Sequence, residues 1–254
     1  MQDLTSSFRP AILHIIKMRG YYDCRTILEH RRWRGMMKQV RVINNPATKK
    51  DYLAHNRYVR TFGQANPKQM ERVVAFVFAS IRVQTFLLPK YMKEWRKHGL
   101  KSSWIWGNKR TGLHYVRKHR DDLYKRAMAI IKAKKKNMAE DLILLFLEVP
   151  GLGIPKSAFV VQLLTGSTGC LDVHNIRKYL PDIDASKGTP SILQTSGNTL
   201  PVKRRKVKEY QKIVTTTGGS MVWWINWCNH IGVLQPKYFT GGRDVSQLHM
   251  DCIQ

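Results

Sequence analysis

The chain has 254 residues, with 44 Lys and Arg against 17 Asp and Glu, a formal net charge of +27 at pH 7 and a pI of about 10.3. A hydrophobic fraction of 43%, with 7 Trp, 10 Tyr and 8 Phe, excludes a disordered polyelectrolyte, because such a chain can bury enough apolar surface to offset its conformational entropy. A charge surplus of this size is best tolerated where a polyanion is the partner, nucleic acid first and an anionic membrane surface second.

The longest apolar run, Leu142 to Leu147, is too short to cross a bilayer, and the opening Met-Gln-Asp-Leu-Thr lacks the basic and apolar regions of a secretion signal. The expectation is a soluble, intracellular protein with no membrane partner. Cys24, Cys170, Cys228 and Cys252 are widely separated and show none of the close pairs that bind zinc or iron–sulfur clusters. Reduced thiols, no metal and no cofactor are expected.

From residue 9 to about 147, apolar residues recur at the helical spacing. Ile12, Ile15 and Ile16 do so, as do Val73, Phe76 and Val77, and Leu142, Leu145 and Phe146. Breakers fall between these stretches at Gly20, Asn44 to Pro46, Gly63 to Pro67, Pro89, Gly99 and Gly107. Two-residue alternation is scarce, so the fold is predicted to be mainly α. Three basic clusters punctuate the chain: Arg31, Arg32, Arg34, Lys38 and Arg41; Lys132, Lys134, Lys135 and Lys136; and Lys203, Arg204, Arg205, Lys206 and Lys208. Each alone can be a solvated helix face, whereas three in one chain suit phosphate contacts with counterion release. Trp104 and Trp106 are flanked by Lys101, Asn108, Lys109 and Arg110, an interleaving of aromatics and cations that suits an unstacked base as well as it suits a core.

The segment 139–165 reads as helix, Pro150-Gly151-Leu152-Gly153 turn, helix. Gly151 and Gly153 can take positive φ and lack a Cβ, so backbone amides of the turn can approach a phosphate. Pro155 suits the first turn of the second helix, whose dipole and free amides add to the same anion site. Ser157 and Ala158 are small enough for close helix packing. The same Pro-Gly-x-Gly pattern also serves as an ordinary tight turn.

After a Thr-Gly-Ser-Thr-Gly loop, Leu171-Asp172-Val173-His174 opens another helix. Here the chain resembles the helix–hairpin–helix DNA glycosylase superfamily, of the endonuclease III and 8-oxoguanine glycosylase types. Val149 to Gly153, Lys156 and Leu171 to His174 stand where that family has Leu-Pro-Gly-Val-Gly, a lysine and Val-Asp-x-His. Ser80 to Thr85, with Gln84, is similar to a family segment that meets DNA beside the lesion. In this chain Pro155 precedes Lys156 as an insertion, turning the lysine by about 100° on its helix.

The resemblance implies a two-lobed helical glycosylase-like fold and a monomer acting on double-stranded DNA. Residues 1–65 would supply N-terminal helices of the second lobe and 66–165 a barrel-like lobe ending in the hairpin. Residues 166–232 would complete the second lobe and 233–254 form a C-terminal arm. The implied reaction is extrusion of a modified or damaged base and cleavage of its N-glycosidic bond, with an accompanying lyase step as an option. Lys156 would be the nucleophile and Asp172 the stabilising carboxylate, with the hairpin, Gln84, His174 and the 203–205 cluster on the DNA and Trp104 and Trp106 near the base. Asp172 can equally cap its helix, and His174 can touch a phosphate or extend that cap. Two other functions suit the same residues: a non-catalytic DNA-binding or packaging protein, and a phage-type relative that modifies a base without removing it. Between Pro181 and Pro201 the composition reads as a loop, followed by a basic helix over 202–214 and an aromatic helix over 220–231 with Trp223, Trp224 and Trp227.

Overall fold

The computed structural model describes residues 46–171, 193, 198–234, 237 and 242–253, all of which fall in one compact unit, Arg41–Gln254. The expectations placed on residues 9–45, on Asp172 and His174 and on most of the 181–201 loop lie outside the described residues. What is described is mainly helical, with ten α-helices, two short 3-10 turns and no strand among the described residues.

The first two helices, α1 (Pro46–Ala65) and α2 (Pro67–Ala79), are separated by Asn66 alone. Asn66 ends one helix and caps the next. Its side-chain oxygen accepts the Gln69 amide at 3.0 Å while its Nδ2 donates to Gln69 Oε1 at 2.8 Å, a reciprocal cap set by Pro67 in the first turn. Gly63, expected among the breakers, lies inside α1. A Cβ there would come within 2.6 Å of Leu164 and 3.0 Å of Val73, so its lack of a side chain is what lets α1 approach its neighbours.

Past a 3-10 turn at Thr85–Leu87, α3 (Leu88–His98) starts with Pro89 and stops at Gly99, whose φ is +54°. Then come α4 (Asn108–Lys118), α5 (Arg120–Ala133), α6 (Met138–Phe146) and α7 (Ile154–Thr165). The central element is α7. Ile154 and every residue from Ser157 to Leu164 are buried, against α1, α2 and α6, as expected of a helix that is apolar on all sides. Burial of Phe159, Val160, Val161, Leu163 and Leu164 contributes about 1.5–3 kcal/mol each.

The basic helix predicted over 202–214 is α8 (Leu200–Thr216), which lays Val207, Tyr210, Ile213 and Val214 on α6 and α9 (Gly219–Leu234). In α9, Trp223 and Trp224 are core residues, and Trp223 Nε1 donates to Thr217 Oγ1 at 2.8 Å. The last stretch departs from the arm expected for it. Residues Gly242–Ile253 form α10, packed on α1, α2, α3 and α9 through Val245, His249, Cys252 and Ile253. The spacing of those four is helical, but a His and a Cys occupy two of the inward positions and hide the apolar period.

Candidate nucleic-acid interface at the hairpin

The hairpin joins α6 to α7 through residues 147–153. Val149 and Leu152 are buried, and the Leu152 amide donates to the Val149 carbonyl at 3.1 Å, closing a turn with Pro150 second and Gly151 third. Gly151 has φ +86°, the conformation that a turn with proline second asks of its third residue. A Cβ on it would also come 3.1 Å from the Asn108 carbonyl oxygen and 3.4 Å from Phe78. Arg126 of α5 braces the entrance, with Nη1 2.8 Å from Glu148 Oε2 and Nη2 2.5 Å from Oε1. The Arg126 guanidinium is held above its ordinary pKa by that carboxylate.

Gly153 departs from the expected positive φ. At φ −86° and ψ 178° it is extended and caps α7, and a Cβ there would meet nothing nearer than 3.9 Å. Its use is therefore an open approach to the helix start. Among the described residues α7 has no side-chain cap and no acidic residue in its first turn; Pro155 has no amide hydrogen and the Ser157 amide donates to the Gly153 carbonyl, which leaves the Lys156 amide, on a half-buried residue, as the one that can face an external acceptor. Pro150 and Gly151 are exposed. Leu152 and Ser157 are not: they are 5% and 0% exposed, and the Leu152 amide is already used inside the turn, so both residues serve packing.

A second element completes the surroundings. Gly112, in the middle of α4, has no room for a Cβ, which would fall 2.3 Å from the Pro150 carbonyl oxygen and 2.3 Å from Phe78. The helix backbone thus abuts the hairpin and brings Lys109 to it. Lys109 is 9% exposed, with Nζ 5.6 Å from the centre of the Trp104 ring. Burial first, and then the Lys156 charge, hold its ammonium below the usual pKa. Lys156 is half-buried, its Nζ 5.6 Å from the Phe159 ring. In the sequence Lys109 stands out only as a neighbour of Trp104 and Trp106. The signal was Gly112, since a glycine inside a helix often marks a close approach.

Other candidates separate. Trp104 is 4% exposed, stacks on Tyr91 at 5.7 Å and donates its Nε1 to the Tyr91 carbonyl, so it is a structural residue and no base platform. Trp106 is 67% exposed. Gln84 is exposed in the loop after α2, where Arg82 has φ +53°, and its carbonyl accepts the Leu87 amide. Lys203, Arg204 and Arg205 lie at the start of α8; Arg204 Nη1 is 3.6 Å from Asp141 Oδ1, in the first turn of α6 and away from the hairpin.

The loop that leads toward Asp172 is held by three side chains. Gln162 Oε1 accepts the Cys170 amide at 3.0 Å, and Gln211 accepts from Thr168 Oγ1 and donates to the Ser167 carbonyl. Buried Tyr210 accepts the Leu171 amide at 2.8 Å and donates to the Gly169 carbonyl at 2.7 Å.

Among the described residues no group of three His, Cys, Asp or Glu is placed to hold a metal ion, and no helix is long and apolar enough to cross a membrane. Comparison with protein-family models, with curated proteins and with solved structures returned no match.

Proposed function

We propose that this chain is a helix–hairpin–helix protein of duplex DNA that acts as a DNA glycosylase. The observation that carries the reading is the exposed Pro150-Gly151 turn at the start of α7 with two lysines, Lys156 and Lys109, beside it. The turn and the Lys156 amide take a phosphate without reading a base. With the target base out of the stack, a neutral Lys156 amine attacks the anomeric carbon of the sugar. The glycosidic bond breaks and its electron pair leaves with the base, which takes up a proton. Opening of the sugar ring then gives an imine between lysine and sugar. The Asp172 carboxylate is assigned the developing positive charge on the sugar.

Incubating the protein with duplexes that each carry one modified or damaged base, with borohydride present, tests this. A covalent adduct is expected in the native chain and none in Lys156→Ala. An adduct that survives in Lys156→Ala and disappears in Lys109→Ala moves the nucleophile to Lys109. Asp172→Asn is expected to keep fold and DNA affinity and to lose turnover.

A second function, DNA binding or packaging without catalysis, is favoured by one observation: the net charge of +27, more than recognition of a single base requires. Salt-sensitive duplex binding with no base released from any substrate would establish it.

A further inference from the structure

A separate cationic site lies at the other end of α4. From Lys109 to Arg117 the helix rises roughly 12 Å, and at that far end α2, α3, α4 and α5 surround a cavity of about 360 Å³. Five of its lining side chains are cations, namely Lys68, Arg72, Arg96, Arg117 and Arg120, and one is a carboxylate, Glu71, so five positive charges less one negative leave +4.

The four arginines are held in place. Glu71, 3% exposed, binds Arg117 Nε directly and has Arg120 Nη1 at 3.8 Å. Arg117 also lies over Trp95, 5.5 Å from the ring centre, and Trp95 is itself part of the wall. Arg96 Nη1 donates to the Cys252 carbonyl at 3.3 Å, and Arg72 sits 5.5 Å above Phe62. A buried carboxylate is costly unless paired, so its use here is to position two guanidinium groups on the wall of a cavity that three more cations line. Among the described lining side chains the cations outnumber the carboxylate and repel one another; a dianion between them reverses the sign of the interaction. Guanidinium forks match phosphate oxygens in geometry, and the volume falls in the range of small-ligand pockets, well beyond a single phosphate.

We propose that this cavity binds the terminal phosphate of a nucleotide, with Lys68, Arg72 and Arg96 on the phosphate and the Glu71-held Arg117 and Arg120 closing the ring. The monoester dianion is preferred over the singly charged diester of an intact strand. The site stands apart from the glycosylase reading, since neither lysine of the hairpin lines it.

Calorimetric titration of the full chain at 150 mM salt with a nucleoside 5′-monophosphate, against the same nucleoside without phosphate, tests it. The monophosphate is expected to bind at least tenfold more tightly than the nucleoside. Lys68→Gln, at an exposed position, and Arg96→Gln are each expected to weaken it at least fivefold, with Lys156→Ala unchanged. Competition by a 5′-phosphorylated oligonucleotide and not by its 5′-hydroxyl twin assigns the ligand to DNA ends; failure of both to compete assigns it to free nucleotides. No preference for the monophosphate, or binding indifferent to both cavity variants, overturns the proposal whatever the borohydride assay shows.

Discussion

His55 and His249 show what a side chain does once packing removes it from water. Their ring centres are 6.0 Å apart; His55 stacks on Trp224 at 4.1 Å, and the His249 ring meets Phe76 at 4.7 Å and Trp224 and Trp227 at 5.0 Å each. Among the described residues neither His249 nitrogen finds a hydrogen-bond partner, nor does His55 Nε2. Burial pushes His55 down to about 3 and His249 well below the usual imidazole value, where the charges of His55 and Lys156 add to the effect. A folded pKa below the unfolded value of about 6.5 means that the unfolded chain takes up the extra protons. The stability that His55 contributes is then fully present above about pH 6.5 and is lost as pH falls toward 3, at roughly 1.4 kcal/mol per pH unit, and His249 adds a loss of the same sign. Urea midpoints measured between pH 7 and pH 4 are expected to fall more steeply in the native chain than in His249→Phe, which keeps a ring in the aromatic enclosure. Ser157 is the companion case. Its hydroxyl is buried and finds no partner among the described residues, so Ser157→Ala is expected to leave DNA affinity within about twofold and stability unchanged or raised, in a mobility-shift assay and a thermal melt.

At the scale of elements, the contact between α4 and the hairpin decides where the site is. Gly112→Ala would gain about 1 kcal/mol on helix propensity alone. Against that, its Cβ would fall 2.3 Å from a backbone carbonyl that has no flexible end to move aside. A net loss of about 1–3 kcal/mol is expected by denaturant melting, with weaker duplex binding as the turn is displaced. Gly151→Ala should behave alike, because φ +86° and the Asn108 carbonyl both oppose a side chain. Helix ends were legible where the cause lies within a turn or two of chain: Pro67, Pro89, Gly99 and Gly107 all punctuate as read. Gly63 and Gly112 carry the same local signal for another reason, close approach to elements elsewhere in the chain, and α10 was illegible because His249 and Cys252 fill positions where an apolar residue was sought.

At the scale of the whole molecule, part of the +27 charge falls on three described surfaces. The hairpin offers amides and two lysines, the cavity a ring of held arginines, and α8 an exposed basic face. Duplex affinity is expected to fall linearly in log–log form with salt, with a slope near −0.9 for each phosphate neutralised. Replacing Lys203, Arg204 and Arg205 together by Gln should reduce that slope by about 2 to 3 without altering preference among sequences, read by polarisation titrations at several salt concentrations. Arg204 is expected to contribute least, since Asp141 already lies 3.6 Å away.

Helical class, the helix ends at Pro67, Pro89, Gly99 and Gly107, the hairpin turn and the cationic character follow from composition and from residues within a few positions of one another, which is why the sequence by itself determined them. Which lysines meet, which tryptophan is sealed, how Glu71 gathers arginines from two helices and where α10 docks depend on contacts between residues far apart in the chain. Only packing brings those together, because burial and the space left for a Cβ are properties of neighbours that no local pattern names.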